Sequence, residues 1–347
     1  MEHKIAFTIG IPAYEQLEYT RQAIESCLNQ NYPKFEIVIC DDSRSDDVQK
    51  MINQQYSEKM RYFRNSPSLG LPKNSNRLLS LARHPWMLIL SNDDLLEPDY
   101  LKKMNEVIQE HPDAALIRTR YSMIDAQGTL LRMDGVQPFQ MNCFEFLSRA
   151  FLRGNASTWM SLSAVVFPTA NLLRIGGFRD FRRGHHMDRV AWSELSEQGP
   201  VFFLQEPLAK IRSHRGEITT TLDSDVQAAL LTNFEMNSVM NCFLDKMEAR
   251  VRADEERALL KETRSQLEQY TRRQIGRALD QGIMAGIEDE SLQSVRALRQ
   301  IREQVKLAKG LAFKSYYFYN AMLMMPRTIR KHFVAILKDY KFKKWHS

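Results

Sequence analysis

The sequence lacks the features that mark disulfide-stabilised, secreted or membrane-spanning proteins. Its four cysteines, in 347 residues, are scattered without pattern. They argue against a disulfide scaffold or a zinc knuckle and favour a reducing compartment. No basic region followed by a long apolar run opens the chain, and no apolar stretch reaches about 18 residues, so we expect neither a secretory signal nor a spanning helix. The sequence therefore predicts a cytoplasmic protein.

The net positive charge of the chain lies at one end. The last 37 residues, 311–347, hold eight Lys or Arg residues and one acid, Asp339. Their net charge of +7 exceeds the +6 of the whole chain, so the preceding residues sum to −1. Because the net positive charge lies only in this tail and no nucleic-acid-binding motif is present, we expect no nucleic-acid partner.

Short apolar runs alternate with helical patterns over the first 120 residues. Segments 4–12, 35–42, 60–65 and 85–94 have the composition of strands, and amphipathic segments of helical period separate them. This alternation predicts an α/β fold with a mostly parallel twisted sheet flanked by helices. Strand signals stop near residue 222. We therefore predict one domain over 1–222 and a helical C-terminal region over 223–347.

Polar residues follow three of the predicted strands: Pro12–Glu15, Asp41–Ser43 and Ser91–Asp94. The carboxyl ends of parallel strands share one edge of a sheet, which is where ligands bind in such folds. Asp93 is placed to bind a divalent cation, which would also bind phosphate oxygens. Asp42 could bind a base or a sugar. The alternative is that Asp41 and Asp42 cap the helix that follows them.

A second constellation lies in the sequence "GHHMDRVAWSELSEQG", residues 184–199. A carboxylate at the start of a helix in a cleft would serve as a general base for a hydroxyl, and this interpretation favours Asp188. Two alternatives remain. Asp188 could be an ordinary N-cap, or His185, His186 and Asp188 could bind a metal, although their spacing is not that of the helical zinc motif.

The motifs "IPAYE", "IVICDDSRSDD", "NSPSLGLPKNSNRLLSLA", "LILSNDDLLEPDYL", "GGFRDF", "MDRVAWSELSEQG" and "KIRSHRG" occur in this order. Together they resemble family 2 inverting glycosyltransferases, over roughly residues 4 to 220. The resemblance implies a GT-A nucleotide-diphospho-sugar transferase domain. It also implies a Mg²⁺ or Mn²⁺ cofactor and transfer of a sugar from a nucleotide-diphosphate sugar to a hydroxyl of a glycan or lipid-linked saccharide.

The resemblance also assigns residues. Asp188 would be the catalytic base, and Asp93 and His214 would bind the metal. The residues that it places at the nucleotide sugar are Pro12, Ala13, Tyr14, Glu15, Asp42, Asn76, Asn92, Asp93 and Asp94. Inversion needs one base to deprotonate the acceptor hydroxyl, and the metal stabilises the charge on the leaving diphosphate.

The chain departs from the family pattern at three positions. Ser91 stands where the metal motif has its first Asp, Met187 precedes Asp188 where the family has Glu, and Glu15 replaces the usual Asn. Because Ser91 lacks the charge of Asp, we expect the metal site to carry fewer protein charges. Its affinity for metal should therefore be weaker when no nucleotide is present. The alternative function is a non-catalytic nucleotide-sugar-binding or scaffold protein. A nucleotidyltransferase would need a Gly-rich basic loop after the first strand, and "IPAYEQLEY" is not one.

Two helical segments in the C-terminal region leave alternatives open. The charge-rich sequence of residues 251–283 is typical of a solvated helix that packs by a narrow apolar stripe, the alternative being a coiled-coil partner surface. The tail of residues 311–347 mixes aromatic, apolar and basic residues. This pattern is typical of a helix at an anionic membrane surface on the inner face of the plasma membrane, or of a helix that packs on the core.

Overall fold

The computed structural model describes residues 4–152, 161–214 and 226–288, and the chain divides into two compact units. One unit comprises Met1–Arg215 and Val239–Gln266, and the other comprises Gly216–Ser238 and Leu267–Ser347. The boundary predicted between residues 222 and 223 and the basic tail predicted at 311–347 lie outside the described residues, so both remain predictions.

The first unit begins with four strands that alternate with helices, as the sequence predicted. These elements are β1 (Phe7–Ala13), α1 (Leu17–Leu28), β2 (Phe35–Asp41), α2 (Asp47–Gln55), β3 (Arg61–Arg64), α3 (Leu71–Leu81) and β4 (Trp86–Ile89). All residues of β1 and β4 are buried, as expected for strands covered by helices on both faces. The helices bury one stripe each, which in α1 consists of Thr20, Ala23, Ile24 and Cys27.

The remaining strands of this unit vary in length, from two residues in β5 and β8 to twelve in β10. They and their helices are β5 (Leu95–Leu96), α4 (Tyr100–Glu110), β6 (Leu116–Ile124), β7 (Leu130–Met133), β8 (Gln140–Met141), α5 (Cys143–Ala150), β9 (Val165–Pro168), α6 (Thr169–Arg174), α7 (Met187–Leu195) and β10 (Val201–Arg212). β6 and β7 form a hairpin, and Gly128 in its turn has a φ of 90°. This positive φ explains why the turn has a glycine.

Ten strands of the described chain form one sheet, in the order β3-β2-β1-β4-β9-β6-β10-β5, with β7 and β8 beside β6 and β10. The predicted α/β class is confirmed. The pairings from β3 to β4 are parallel, as is that of β6 with β10, whereas β9 is antiparallel to both β4 and β6. The sheet is therefore mixed. Its parallel part brings the carboxyl ends of β1, β2 and β4 to one edge.

Two long helices, α8 (Val226–Glu248) and α9 (Asp254–Glu288), follow the sheet. In α9 buried side chains recur along one face, at Leu260, Thr263, Gln266, Leu267, Thr271, Ile275 and Ala278. Near the start of α9, Arg264 pairs with Asp245 and Glu248 of α8 at 2.8 and 2.7 Å. The described part of α9 therefore packs by a narrow stripe, as the sequence predicted. In the part of the chain that is described, no helix is long and apolar enough to cross a membrane.

Candidate functional site

The segments that follow β1, β2 and β4 meet at one edge of the sheet. The Asp42 amide donates a hydrogen bond to the Ala13 carbonyl at 2.9 Å, and the Glu15 amide donates to the Ser43 hydroxyl at 2.8 Å. Asn92 joins the third segment to the first, because its Nδ2 donates to the Thr20 hydroxyl at 2.9 Å and to the Tyr14 carbonyl at 3.3 Å. The three polar segments found in the sequence therefore form one surface, as the parallel sheet required.

Of the four residues at the end of β1 and in the turn after it that were predicted to contact the nucleotide sugar, Pro12 to Glu15, only some are exposed. Pro12 and Ala13 are buried in the sheet, whereas the Tyr14 side chain is 43% exposed. Glu15 has a φ of 51°, in the left-handed region that Asn adopts more readily than Glu. Its Oε1 accepts a hydrogen bond from the Arg44 amide at 3.0 Å. Tyr14 and Glu15 are thus the residues of this turn whose side chains lie at the edge.

The carboxylates after β2 bind protein groups. Asp41 accepts hydrogen bonds from the Ser43 amide and the Tyr62 hydroxyl. Asp42 accepts from the amides of Leu69 and Gly70, the latter at 2.7 Å, and from Asn65. Neither Asp caps α2, which starts at Asp47 and has Asp46 at its N-cap, so the capping alternative is wrong. Asp42 instead holds the turn that leads into α3.

Asp93 and His214 lie together, although 121 positions separate them in the sequence. The His214 Nε2 is 3.0 Å from the Asp93 Oδ2, and their side chains are 8% and 22% exposed. The Tyr19 ring lies against His214, with 5.1 Å between the ring centroids. The structure therefore brings the two predicted metal ligands into direct contact at the sheet edge.

Asp94 points away from this pair and is only 3% exposed. Its Oδ2 accepts a hydrogen bond from the Ser163 hydroxyl at 2.6 Å, and its Oδ1 accepts one from the Arg212 amide at 2.8 Å. The same Ser163 hydroxyl accepts from the Ser91 amide at 3.0 Å. Asp94, which the family resemblance placed at the nucleotide sugar, thus joins the segment after β4 to β10 and to the turn before β9.

Arg212 is a residue of this edge that the sequence did not single out. It ends β10 and is 4% exposed. Its Nε donates to the Asp93 carbonyl at 2.9 Å, and its guanidinium carbon is 4.6 Å from the Tyr19 ring centroid. The available signal was its position in "RSH", since residues two apart in an extended chain point to the same side.

Asn76 binds the loop that leads to Asp188. Its Nδ2 donates to the Phe178 carbonyl at 2.7 Å, and its Oδ1 accepts from the Phe178 amide at 2.8 Å. Gly177 packs so closely that a Cβ there would lie 2.4 Å from the Asn76 Oδ1. Both polar ends of the side chain predicted to contact the nucleotide are therefore used to position this loop.

Asp188 lies in the first turn of α7, and its Oδ1 accepts a hydrogen bond from the Arg189 amide at 2.7 Å. The N-cap is His186, which has a φ of 68°, so Asp188 is not an N-cap. Burial raises the pKa of Asp188, and the positive charge and amide of Arg189 oppose this shift only in part. A carboxylate of raised pKa in a partly buried position is suited to accept a proton.

The two histidines before Asp188 do not form a metal site. The His185 and His186 rings are 3.9 Å apart, and burial, assisted by the positive charge of Arg189, lowers the pKa of His185 to about 4. Among the described residues no group of three His, Cys, Asp or Glu side chains could hold a metal ion. The described residues therefore give no support to a metal site of His185, His186 and Asp188.

Comparison with known proteins gives one family. The model for glycosyl transferase family 2 matches residues 8–180, about half of the chain. Chondroitin synthase of Escherichia coli is 31% identical over 125 residues, which are 36% of this chain and 18% of that protein. Putative glycosyltransferase EpsE of Bacillus subtilis is 24% identical over 217 residues, covering 60% of this chain and 73% of EpsE. The chain thus spans less than a fifth of the chondroitin synthase.

Solved structures share the fold at low identity. S. aureus TarS 1-349 in complex with UDP-GlcNAc has a TM-score of 0.54 and 15% identity, covering 86% of this chain and 92% of that one. A mannosyltransferase from Pyrobaculum calidifontis in complex with GDP-Man and Mn²⁺ has a TM-score of 0.52 and 15% identity, covering 99% and 89%. These similarities confirm the GT-A fold.

The two hydrogen bonds of Asn76 predict a local effect of its removal. In Asn76→Ala the amide and carbonyl of Phe178 lose their partner, at a cost of about 1–3 kcal/mol. We expect faster amide hydrogen exchange over residues 176–184 and a lower unfolding temperature. Lys73→Ala is the matched control, because the Lys73–Asp180 pair joins the same two segments but is exposed, and such pairs contribute about 0–1 kcal/mol. Equal exchange in the two variants would contradict this role.

Proposed function

This chain belongs to glycosyl transferase family 2, and we propose that it is an inverting enzyme that transfers a sugar from a nucleotide-diphosphate sugar to a hydroxyl of a glycan or lipid-linked saccharide. The observation that carries the proposal is the contact between Asp93 and His214 at the carboxyl edge of the parallel strands. Solved structures of the same fold hold UDP-GlcNAc and GDP-Man, which supports a nucleotide-sugar donor.

The residues at this edge fit a divalent ion that arrives with the nucleotide. A carboxylate and an imidazole provide two ligands, too few for a cation cage made by protein alone. Mg²⁺ is commonly held by one or two carboxylates together with substrate phosphates, and Mn²⁺ also favours oxygen ligands. We therefore assign Asp93 and His214 as the ligands of Mg²⁺ or Mn²⁺. When bound, the ion would neutralise charge that develops on the leaving diphosphate.

The other edge residues act on the donor through shape and hydrogen bonding. Tyr14 is exposed and offers a ring surface to the base or ribose, and Glu15 and Asn92 complete this side of the surface. Asp42 and Asp94 are each 3% exposed and use their carboxylates within the protein. We propose that these two act mainly by fixing the turn before α3 and the segment after β4.

Asp188 is our candidate for the general base. Its carboxylate would take the proton of the acceptor hydroxyl as that oxygen attacks the anomeric carbon, and its raised pKa brings it closer to that of the group it must deprotonate. The loop before it contacts α3 at three points: Phe178 on Asn76, Asp180 on Lys73, and Gly184 near Leu71. Since Asp42 fixes the start of α3, the donor edge and the base are connected through this helix.

The relatives support a setting for this reaction. Chondroitin synthase is named for a polysaccharide product, and we propose that this chain acts in bacterial surface-polysaccharide assembly on the cytoplasmic side of the plasma membrane. A non-catalytic nucleotide-sugar-binding protein is the second candidate, favoured by Ser91 in the metal motif. Turnover of any sugar nucleotide that depends on Asp188 excludes this second candidate.

Replacing the proposed base should separate activity from stability. Asp188→Asn is expected to lower kcat by about 10²–10⁴-fold. Because the folded-state pKa is raised, the ionised carboxylate destabilises the fold at neutral pH, so the variant should unfold at an equal or higher temperature. In the wild type this pKa shift contributes stability below the unfolded-state pKa, and the contribution is lost as pH rises through the folded-state value.

The pH profile gives a second readout for the same residue. The acid limb of kcat/KM should lie above the ordinary Asp value of 3.8, and it should disappear from any residual activity of Asp188→Asn. Full turnover by the variant in transfer assays with UDP-GlcNAc, GDP-Man and other sugar nucleotides would exclude Asp188 as the base.

Metal dependence tests the other half of the site. We expect chelation to abolish turnover and Mn²⁺ to restore it, and Asp93→Asn to lower kcat/KM by about 10²-fold or more, since it removes the only charged ligand that we assign. Asp99→Asn, an exposed carboxylate of the same segment, is the matched control. Ser91→Asp should act in the opposite direction and lower the Mn²⁺ concentration needed. Turnover that persists after chelation would contradict the assignment.

Membrane attachment is proposed from the tail of residues 311–347, which lies outside the described residues. Its eight basic residues among aromatic ones predict co-sedimentation with vesicles of anionic lipid, weakened by salt and reduced for neutral vesicles. The control is the same chain ending at residue 310, which should stay in the supernatant. Equal binding by both chains would show that the tail is not the membrane contact.

A further inference from the structure

Arg212 has hydrogen-bond partners in three separate segments: the segment after β4, the β6–β7 turn and α1. Its Nε donates to the Asp93 carbonyl at 2.9 Å, and its Nη1 donates to the Ala126 carbonyl at 3.1 Å in the turn of the β6–β7 hairpin. Its Nη2 donates to the Gln22 Oε1 of α1 at 2.8 Å, and its backbone amide donates to the Asp94 Oδ1. A residue that is 4% exposed thus fixes the backbone of one proposed metal ligand and the side chain of the next residue.

The guanidinium of Arg212 donates its hydrogen bonds to neutral oxygens, although it lies beside the two adjacent carboxylate residues Asp93 and Asp94. Among the described residues, its hydrogen bonds go to carbonyl and amide oxygens, which are neutral acceptors. A buried cation is costly unless it is compensated. By contrast, Arg118, a buried arginine on the adjacent strand, pairs directly with the Asp134 carboxylate. The positive charge of Arg212 is therefore held next to the segment that would receive a diphosphate and its ion.

Tyr19 links Arg212 to His214. Its ring centroid is 4.6 Å from the Arg212 guanidinium carbon and 5.1 Å from the His214 ring centroid, and its hydroxyl is 3.4 Å from the Ala126 carbonyl. Contact with an aromatic ring stabilises a guanidinium and restricts its orientation. Arg212 therefore holds Asp93 directly and is connected to His214 through Tyr19.

We infer that Arg212, together with Tyr19, is a positioning residue that sets Asp93 and His214 in place for the divalent ion carried by the nucleotide sugar. The inference rests on the metal-assisted function proposed above. An arginine that only joined β10 to α1 would affect stability alone, whereas a residue that positions Asp93 and His214 also affects ion binding. Residues that orient metal ligands typically alter metal affinity about 10–100-fold when replaced.

The test compares Arg212→Lys with Arg118→Lys, the latter removing a buried arginine that does not contact Asp93 or His214. Mn²⁺ bound to each full-length chain in the presence of UDP is measured by electron paramagnetic resonance, and unfolding temperature is measured in parallel. We expect Arg212→Lys to weaken Mn²⁺ binding about tenfold or more, and Arg118→Lys to stay within about twofold of the wild type. Tyr19→Leu gives a second route to the same effect if Arg212→Lys fails to fold.

The outcomes separate the inference from the function on which it rests. Mn²⁺ binding by the wild type, together with unchanged binding by Arg212→Lys or by Tyr19→Leu, overturns the positioning role alone. An equal loss of binding in Arg212→Lys and Arg118→Lys also overturns it, because the loss would then follow general destabilisation. Wild-type binding no tighter than that of Asp93→Asn overturns the proposed metal site and this inference with it.

Discussion

Two adjacent carboxylates after β4 impose the constraint on which this sheet edge depends. A buried carboxylate is unfavourable unless hydrogen bonds or opposite charge replace the water that it loses. Asp94 receives hydrogen bonds from Ser163 and from the Arg212 amide, whereas Asp93 keeps its carboxylate at the surface beside His214. The fold thus gives the two neighbours different partners: Asp94 joins three elements, and Asp93 contacts His214.

Polar side chains also connect the sheet edge to the loop that precedes the candidate base, Asp188. Asp42 fixes the turn before α3, and Asn76 on α3 holds the backbone of Phe178 in the loop that precedes Asp188. Asp42 and Asn76, which the family resemblance placed at the nucleotide sugar, thus form the connection between the sheet edge and the loop before Asp188. Asp188 itself is destabilising as an ion, since burial raises its pKa. Such a conflict between stability and protonation state is typical of catalytic groups.

The order and type of the elements could be predicted because apolar periodicity follows from burial. The meeting of three strand ends followed from parallel topology, and the pairing of Asp93 with His214 followed from the family resemblance. The partners of Asp94 and Asn76 could not be predicted, since they lie 118 and 102 positions away at Arg212 and Phe178. Sequence spacing carries no information about such contacts. The antiparallel β9 was missed because segment 153–168 lacks the strand–helix alternation of the first 120 residues.

We propose that Asp93 and His214 together hold the ion of the nucleotide sugar, next to an edge fixed by Asp94 and Arg212. The most direct measurement is a crystal structure with UDP and Mn²⁺, in which anomalous scattering locates the manganese. We predict one manganese peak beside the Asp93 carboxylate and the His214 ring, next to the bound UDP. A manganese peak beside His185 and His186, or a diphosphate bound without contact between the ion and Asp93, would contradict the account.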